Sequence, residues 1–132
     1  MDPILDLNKN PTQQEVFDAG VKFILDQGFC SDGDSCKYRY DGRACFVGAF
    51  MTDEEAAAAD DLVLDMVGLI SEFWRFDPYM ELFESCQDAH DRATENPESG
   101  DVYEDQHDDR FFENFRQRAK VAAAWHDLEF NF

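Results

Sequence analysis

Apolar residues recur every three or four positions in four segments of the chain, and this period predicts four amphipathic helices. The first helix follows Thr12-Gln13-Gln14-Glu15, a capping box in which the Thr and Glu side chains satisfy free amide donors. It runs to about Gln27, because Gly28 is a typical helix terminator. A second capping box, Thr52-Asp53-Glu54-Glu55, predicts a helix that reaches about Phe76.

Two further helices are predicted in the second half of the chain. Asp77-Pro78 starts the third, with Asp as the cap and Pro at the first helical position. The fourth spans about 109–128, after a long acidic loop over 94–107. The side chains expected to face inward are Leu82, Phe83, Cys86, Ala89, His90 and Ala93 on the third helix, and Phe112, Phe115, Ala119, Ala122 and Trp125 or His126 on the fourth.

A different pattern occupies residues 36–47. Two β-prone runs flank Asp41-Gly42, and both of these residues tolerate the positive φ of a tight hairpin turn. This predicts a small antiparallel hairpin in which Tyr38 lies opposite Cys45. The fold class expected is therefore α+β, with about four helices packed against one hairpin. We expect residues 1–132 to form a single domain, with 1–11 as a loose lead-in.

Charge changes this picture, because it is concentrated in the middle of the chain. Residues 49–109 hold nineteen acidic and two basic side chains, a net charge of −17 out of −19 for the whole sequence. Repulsion between charges at this density opposes folding, so the acidic segment is expected to have a use in binding. A solvated face or adaptation to high salt is the alternative explanation of the acidity. The thirteen Phe and two Trp supply enough apolar surface for a core, which argues against a disordered acidic segment.

Several classes of function and location are excluded by these totals. The negative charge would repel phosphates, so direct binding of nucleic acid is not expected. No run of eighteen apolar residues is present, and the first residues lack the pattern of a signal peptide. We therefore expect a cytoplasmic protein whose cysteines are reduced and which does not interact with membranes.

A group of motifs carries a family resemblance. Cys36-Lys37-Tyr38-Arg39 with Gly42-Arg43-Ala44-Cys45-Phe46-Val47-Gly48, flanked by Gln14-Glu15-Val16-Phe17, Met51-Thr52-Asp53-Glu54-Glu55 and Gln87-Asp88-Ala89-His90-Asp91, resembles a recurrent group of small phage and prophage proteins. The resemblance covers about residues 12–91 and implies a phage or mobile-element origin. The acidity is also similar to that of anti-CRISPR and anti-restriction proteins that mimic DNA.

The acidic helices are the candidate functional surface. Carboxylates spaced by four or seven residues share one helix face, and neighbouring ones lie about 5–6 Å apart. Two such helices side by side would resemble two phosphate backbones and would fit a basic groove. The candidate partner-binding residues are Glu54, Asp61, Asp65 and Glu72 on the second helix and Glu81, Glu84, Asp88 and Asp91 on the third, with Phe73, Trp74 and Tyr79 as candidate apolar anchors.

Cysteines and histidines suggest two alternatives. Cys36 and Cys45 could share a metal with Cys30 or with the Cys86/His90 pair, since zinc requires four such ligands, although the close cysteine pair of most zinc sites is missing. His90-Asp91, His107-Asp108 and His126-Asp127 are dipeptides of the kind that HD-type hydrolases use to bind metal. Small core cysteines and capping or surface histidines explain both patterns more simply.

The sequence therefore predicts a binding protein rather than an enzyme, with no cofactor. The main hypothesis is a phage-type inhibitor that blocks the basic groove of a host defence complex, such as a CRISPR effector, as an acidic DNA mimic. The alternatives are a Cys/His metal-binding structural module and a small HD-type hydrolase.

Overall fold

A computed structural model describes residues 2–30, 38–40, 42–62, 68–69, 72–105 and 107–132. The fold is dominated by helices. Four α-helices lie within the described residues: α1 (Gln13–Gln27), α2 (Asp53–Asp61), α3 (Met80–Ala93) and α4 (Asp109–Trp125). Short 3-10 helices occupy Leu7–Lys9, Gly48–Phe50 and Trp74–Tyr79.

Both predicted capping boxes are confirmed. The Glu15 backbone N–H donates to Thr12 Oγ1 at 3.1 Å, and the Thr12 N–H donates to Glu15 Oε1 at 3.0 Å. Thr52 and Glu55 form the same pair of bonds at the start of α2. α1 ends as predicted at Gly28, whose φ of +90° suits glycine.

The second helix is shorter than predicted. α2 ends at Asp61, Leu62 is 61% exposed, and Phe73 has an extended backbone. Two carboxylates at the helix C-terminus oppose the helix dipole, and Asp60 is bound to another segment. Residues 63–67 and 70–71 lie outside the described residues, and Gly68, Leu69 and Glu72 are helical. The prediction of a helix that continues to Phe76 is wrong, because the helical pattern stops at Phe73.

The third helix begins later than predicted, and the inward face of the fourth is confirmed at Phe115, Ala119 and Ala122 but not at Phe112 or Trp125. Asp77 and Pro78 lie inside the 3-10 helix, so α3 starts at Met80 with no side-chain cap. The predicted inward face of α3 is confirmed in full. α4 instead buries Phe111 where Phe112 was predicted, and Trp125 is 83% exposed. The buried side chains on α4 are Phe111, Phe115, Ala119, Ala122 and Ala123.

The predicted hairpin over residues 36–47 is not confirmed. Of the described residues between 36 and 47, Arg39–Tyr40 and Arg43–Ala44 pair in an antiparallel manner, and residues 31–37 and 41 are not described. After Ala44 the strand pattern stops, and Cys45, Phe46 and Val47 are all buried. The α+β expectation therefore gives way to an α-dominated fold.

The core forms where α3 packs against α4, with α1 contacting both helices. Phe46, Phe50, Phe76 and Phe83 pack with ring centroids 5.1–6.3 Å apart. Gly20 lets the Phe46 ring approach α1, since a Cβ there would lie 2.2 Å from a ring carbon. The opposite face of α3 is consequently left to solvent.

Candidate functional site

The exposed face of α3 carries the clearest group of predicted site residues. Glu81, Glu84 and Asp88 all lie on it, and we call these three residues the α3 stripe. They are spaced by three and four residues, so they follow one side of the helix over about 10 Å. Asp88 binds Arg92 at 2.8 Å, whereas Glu81 and Glu84 have no ion-pair partner among the described residues.

Two exposed carboxylates on α2 repeat this spacing. Glu54 and Asp61 are seven residues apart, which again places them about 10 Å apart along one helix face. Neither forms an ion pair within the described part of the chain. Glu72, between the two helices, is also exposed, while Asp65 lies outside the described residues.

The two helices do not form the side-by-side pair expected from the sequence. α3 packs mainly against α4, and α2 packs against the Arg39–Tyr40 segment. The acidic residues therefore belong to separate helices with separate neighbours, and the α3 stripe is a single row of carboxylates.

Other carboxylates of α2 hold the preceding segment in place. Asp60 accepts hydrogen bonds from the backbone N–H groups of Tyr38 and Arg39, at 2.7 and 3.2 Å. The Arg39 guanidinium donates to the carbonyl oxygens of Gly48 and Met51. It also pairs with Asp53 at 2.6 Å. We call these contacts the Arg39 network; its carboxylates are engaged in maintaining the fold.

Glu55 is engaged in the same way. It pairs with Arg75, whose Nη1 donates to Glu55 Oε2 at 2.6 Å and whose Nη2 donates to the other oxygen. Burial tends to raise the pKa of Glu55, but the hydrogen bonds from Arg75 and the Thr52 hydroxyl and backbone outweigh it, so the pKa lies below its ordinary value. The carboxylate is therefore held ionised in the folded protein.

Asp91 does not belong to the exposed surface, which corrects its predicted role. It is half-buried, and its Oδ1 accepts from Gln87 Nε2 at 2.9 Å. The same oxygen lies 3.0 Å from Nδ1 of His90, which is fully buried. His90 Nε2 accepts the Cys30 backbone N–H at 3.2 Å, so Nδ1 carries the proton of a neutral imidazole. Asp91 thus orients a buried histidine.

Two glutamines complete this buried network, and the sequence analysis did not identify them. Gln87 Oε1 accepts the Val47 N–H at 3.1 Å. Gln27 binds both backbone groups of Ala44, accepting from its N–H at 2.8 Å and donating to its carbonyl at 2.7 Å. These bonds attach the segment after Arg43 to α1 and α3. No local pattern marks such contacts, because each joins residues 17 or more positions apart.

The three described cysteines are not part of a recognisable metal centre. Cys30, Cys45 and Cys86 are buried, and Cys36 lies outside the described residues. Burial raises the pKa of the Cys45 and Cys86 thiols, which disfavours the thiolate that binds metal. In the described ranges, no three His, Cys, Asp or Glu side chains are grouped so as to hold a metal ion.

The three His-Asp pairs occupy different environments. His90 is buried, His107 is exposed in the loop before α4, and His126 is half-buried just after α4, where its Nε2 lies 2.8 Å from Ser85 Oγ. His126 thus fixes the end of α4 against α3.

Of the three predicted apolar anchors, only Trp74 is available to a partner, being 80% exposed. Phe73 is half-buried and packs edge-on against Phe76. Tyr79 is buried, and its hydroxyl donates to the Pro11 carbonyl at 2.6 Å.

Comparison with protein-family models, with curated proteins and with solved structures gives no match to this chain. Among the described residues, no helix combines the length and apolarity needed to cross a membrane.

Proposed function

We propose that this chain is an inhibitor that binds a basic, nucleic-acid-binding protein surface as a DNA mimic. The observation that carries the proposal is a set of exposed carboxylates that lack an ion-pair partner within the described residues: Glu54, Asp61, Glu72, Glu81 and Glu84. Described basic side chains that could have neutralised them are used elsewhere, as in the Arg39–Asp53 and Arg75–Glu55 pairs.

The spacing of these carboxylates supports the proposal. Along the α3 stripe, and from Glu54 to Asp61, the carboxylates span about 10 Å. Phosphates along one DNA strand advance about 3.4 Å per nucleotide, so this span corresponds to roughly three nucleotides. Lysine and arginine side chains placed to meet phosphates would therefore also reach these carboxylates.

The exposed carboxylates of the α3 stripe are also not needed to hold the fold together. The acids on which folding depends are Asp53, Glu55 and Asp60, whereas the α3 stripe projects into solvent and adds repulsion. A surface that costs stability and is unnecessary for packing is best explained by binding. Electrostatic steering would give fast, salt-sensitive association with a basic partner.

The partner class we propose is a nucleic-acid-handling complex of a host defence system, such as a CRISPR effector. This part of the proposal rests on the sequence resemblance to phage proteins and on the acidity shared with DNA-mimicking inhibitors. Mobility-shift assays with purified effector complexes and their target DNA would test it, and the protein should reduce the DNA-bound fraction.

The direct test uses affinity capture from a host lysate with and without excess duplex DNA. We expect DNA to displace the captured protein and a Glu81→Lys/Glu84→Lys variant to capture at least about tenfold less, because reversed charges would repel the basic surface. The matched control is Asp26→Lys/Glu113→Lys, which makes the same change in net charge at exposed positions away from the α3 stripe.

Two results would contradict the proposal. One is capture that is unaffected by DNA and by salt between low and physiological concentration. The other is an equal loss of capture in both charge-reversed variants, which would indicate a response to net charge without a defined site.

A further inference from the structure

We propose that the groove between α3 and α4 binds an amphipathic helix of the partner protein, with apolar side chains against Val121 and Trp125. This rests on the proposed function, because it concerns the same basic partner, and it adds an apolar anchor to an otherwise electrostatic contact. Electrostatic contacts mainly accelerate association, whereas buried aromatic anchors supply most of the binding energy in protein interfaces.

The groove has the dimensions of a helix-binding site. Its volume is about 580 Å³, and it is lined from Ser85 to Pro97 on one side and from Asn114 to Trp125 on the other. Asn114 and Trp125 are eleven positions apart on α4, which corresponds to about 16 Å, or three helical turns. Grooves between two helices are a recurrent site for a third, amphipathic helix.

Exposed apolar side chains lie along the α4 side of the groove. Val121 is 69% exposed and Trp125 is 83% exposed, and they are four residues apart on one helix face. The contact between Ser85 and His126 holds the end of α4 in place next to Trp125. The backbone at Trp125 is therefore ordered before a partner binds, so less ordering is required on binding.

Charge identifies the kind of helix that would fit. On the α3 side, Arg92 also lines the groove and pairs with Asp88 at 2.8 Å, so the carboxylate there without an ion-pair partner among the described residues is Glu95, just after α3. The rest of the α3 stripe continues beyond the groove. Arg118 places a positive charge on the α4 side. The bound helix should therefore place Lys or Arg over α3, neutral or acidic residues over α4, and apolar residues between them.

The test uses a synthetic peptide of about 15 residues with Leu on one helical face, Lys on one flank and Glu on the other. The protein carries Trp74→Phe, so that Trp125 is the only tryptophan and its fluorescence reports on the groove. We expect saturable binding with a blue shift of the emission, and no shift with a peptide of the same composition in scrambled order.

Two matched variants locate the binding site. Val121→Asp should weaken peptide binding by about tenfold or more, because it places a carboxylate in the apolar contact. Leu62→Asp makes the same change at another exposed apolar residue, directly after α2, and should leave binding unchanged. Circular dichroism of both variants verifies that each remains folded.

The possible outcomes are separable. Unchanged Trp125 emission, equal binding of the scrambled peptide, or no effect of Val121→Asp would overturn the groove proposal. A wild-type dimer in sedimentation that Val121→Asp dissociates would also overturn it, in favour of a second copy as the occupant. If the peptide binds as expected but Glu81→Lys/Glu84→Lys retains its DNA-displaceable capture, the DNA-mimic proposal fails and the groove proposal stands.

Discussion

Three carboxylates of α2 and two of α3 are the same chemical groups in two different roles. On α2, Asp53, Glu55 and Asp60 bind arginine side chains or backbone amides of neighbouring segments. On α3, Glu81 and Glu84 contact no described cation. Total charge alone does not distinguish the two sets. The difference teaches that part of the acidity stabilises the fold, and that only the remainder is available for a partner.

We expect the largest loss of stability from a substitution at Gly48, where two backbone segments of the Arg39 network lie closest together. A Cβ on Gly48 would lie 2.1 Å from the Tyr38 carbonyl oxygen, which is itself held by the Cys45 N–H at 3.1 Å. Gly48→Ala should therefore lower the free energy of unfolding by about 3 kcal/mol or more, measured by chemical denaturation.

Gly100→Ala provides the matched control for this prediction. Gly100 has a φ of +76° but no atom within 4 Å of its ideal Cβ position, so only the backbone strain of about 1 kcal/mol is expected. Equal losses in the two variants would show that the close contact at Gly48 is unimportant.

A smaller effect is expected when one carboxylate is removed from α2 and, for comparison, one from α3. Asp60→Ala removes the acceptor of two partly buried amides and should destabilise the protein by about 2 kcal/mol. Glu84→Ala removes an exposed group and should change the stability by less than about 0.5 kcal/mol. Thermal or urea denaturation of the two variants measures the difference, and a larger loss in Glu84→Ala would reverse the roles assigned to the two residues.

Local patterns predicted the parts of the fold that depend on local chemistry. The Thr52–Glu55 capping box and the buried face of α3 are both set by residues within a few positions of one another, and both are confirmed. Exposed positions on α3 follow from the same period, which is why the sequence placed Glu81 and Glu84 on one face of the helix, where both are exposed.

Features that depend on tertiary contacts could not be predicted in the same way. α2 ends early where Asp60 binds Tyr38, and Asp91 leaves the exposed set because it binds His90. Sequence periodicity places Asp60 inside a longer helix and Asp91 on a helix surface. In the structure, Asp60 binds a distant backbone amide and Asp91 contacts a buried histidine. On α4, Phe112 was predicted to be buried in place of Phe111, because the two residues are adjacent and sequence alone does not decide which of them is buried.

The smallest predicted effect depends on pH and concerns the Glu55–Arg75 pair. The pKa of Glu55 is below its ordinary value because the hydrogen bonds from Arg75 outweigh the effect of burial. A depressed pKa means that the unfolded chain takes up the proton more readily. The pair therefore contributes stability above the unfolded pKa of about 4.3, and this contribution is lost as the pH falls through the folded pKa.

Arg75→Gln should thus cost about 1 kcal/mol at neutral pH, and the difference from wild type should shrink as the pH falls below about 4. Arg75 also lies over the Phe76 ring, 4.7 Å from its centroid, and loss of that contact would lower stability without the same pH dependence.

Arg92→Gln disrupts a pair whose side chains are both mostly exposed, so it should cost only a few tenths of a kcal/mol. Denaturation curves measured from pH 3 to 7 compare the two variants. If the loss of stability in Arg75→Gln does not depend on pH, Arg75 stabilises the protein through its contact with the Phe76 ring. Glu55 would then no longer count among the carboxylates that stabilise the fold.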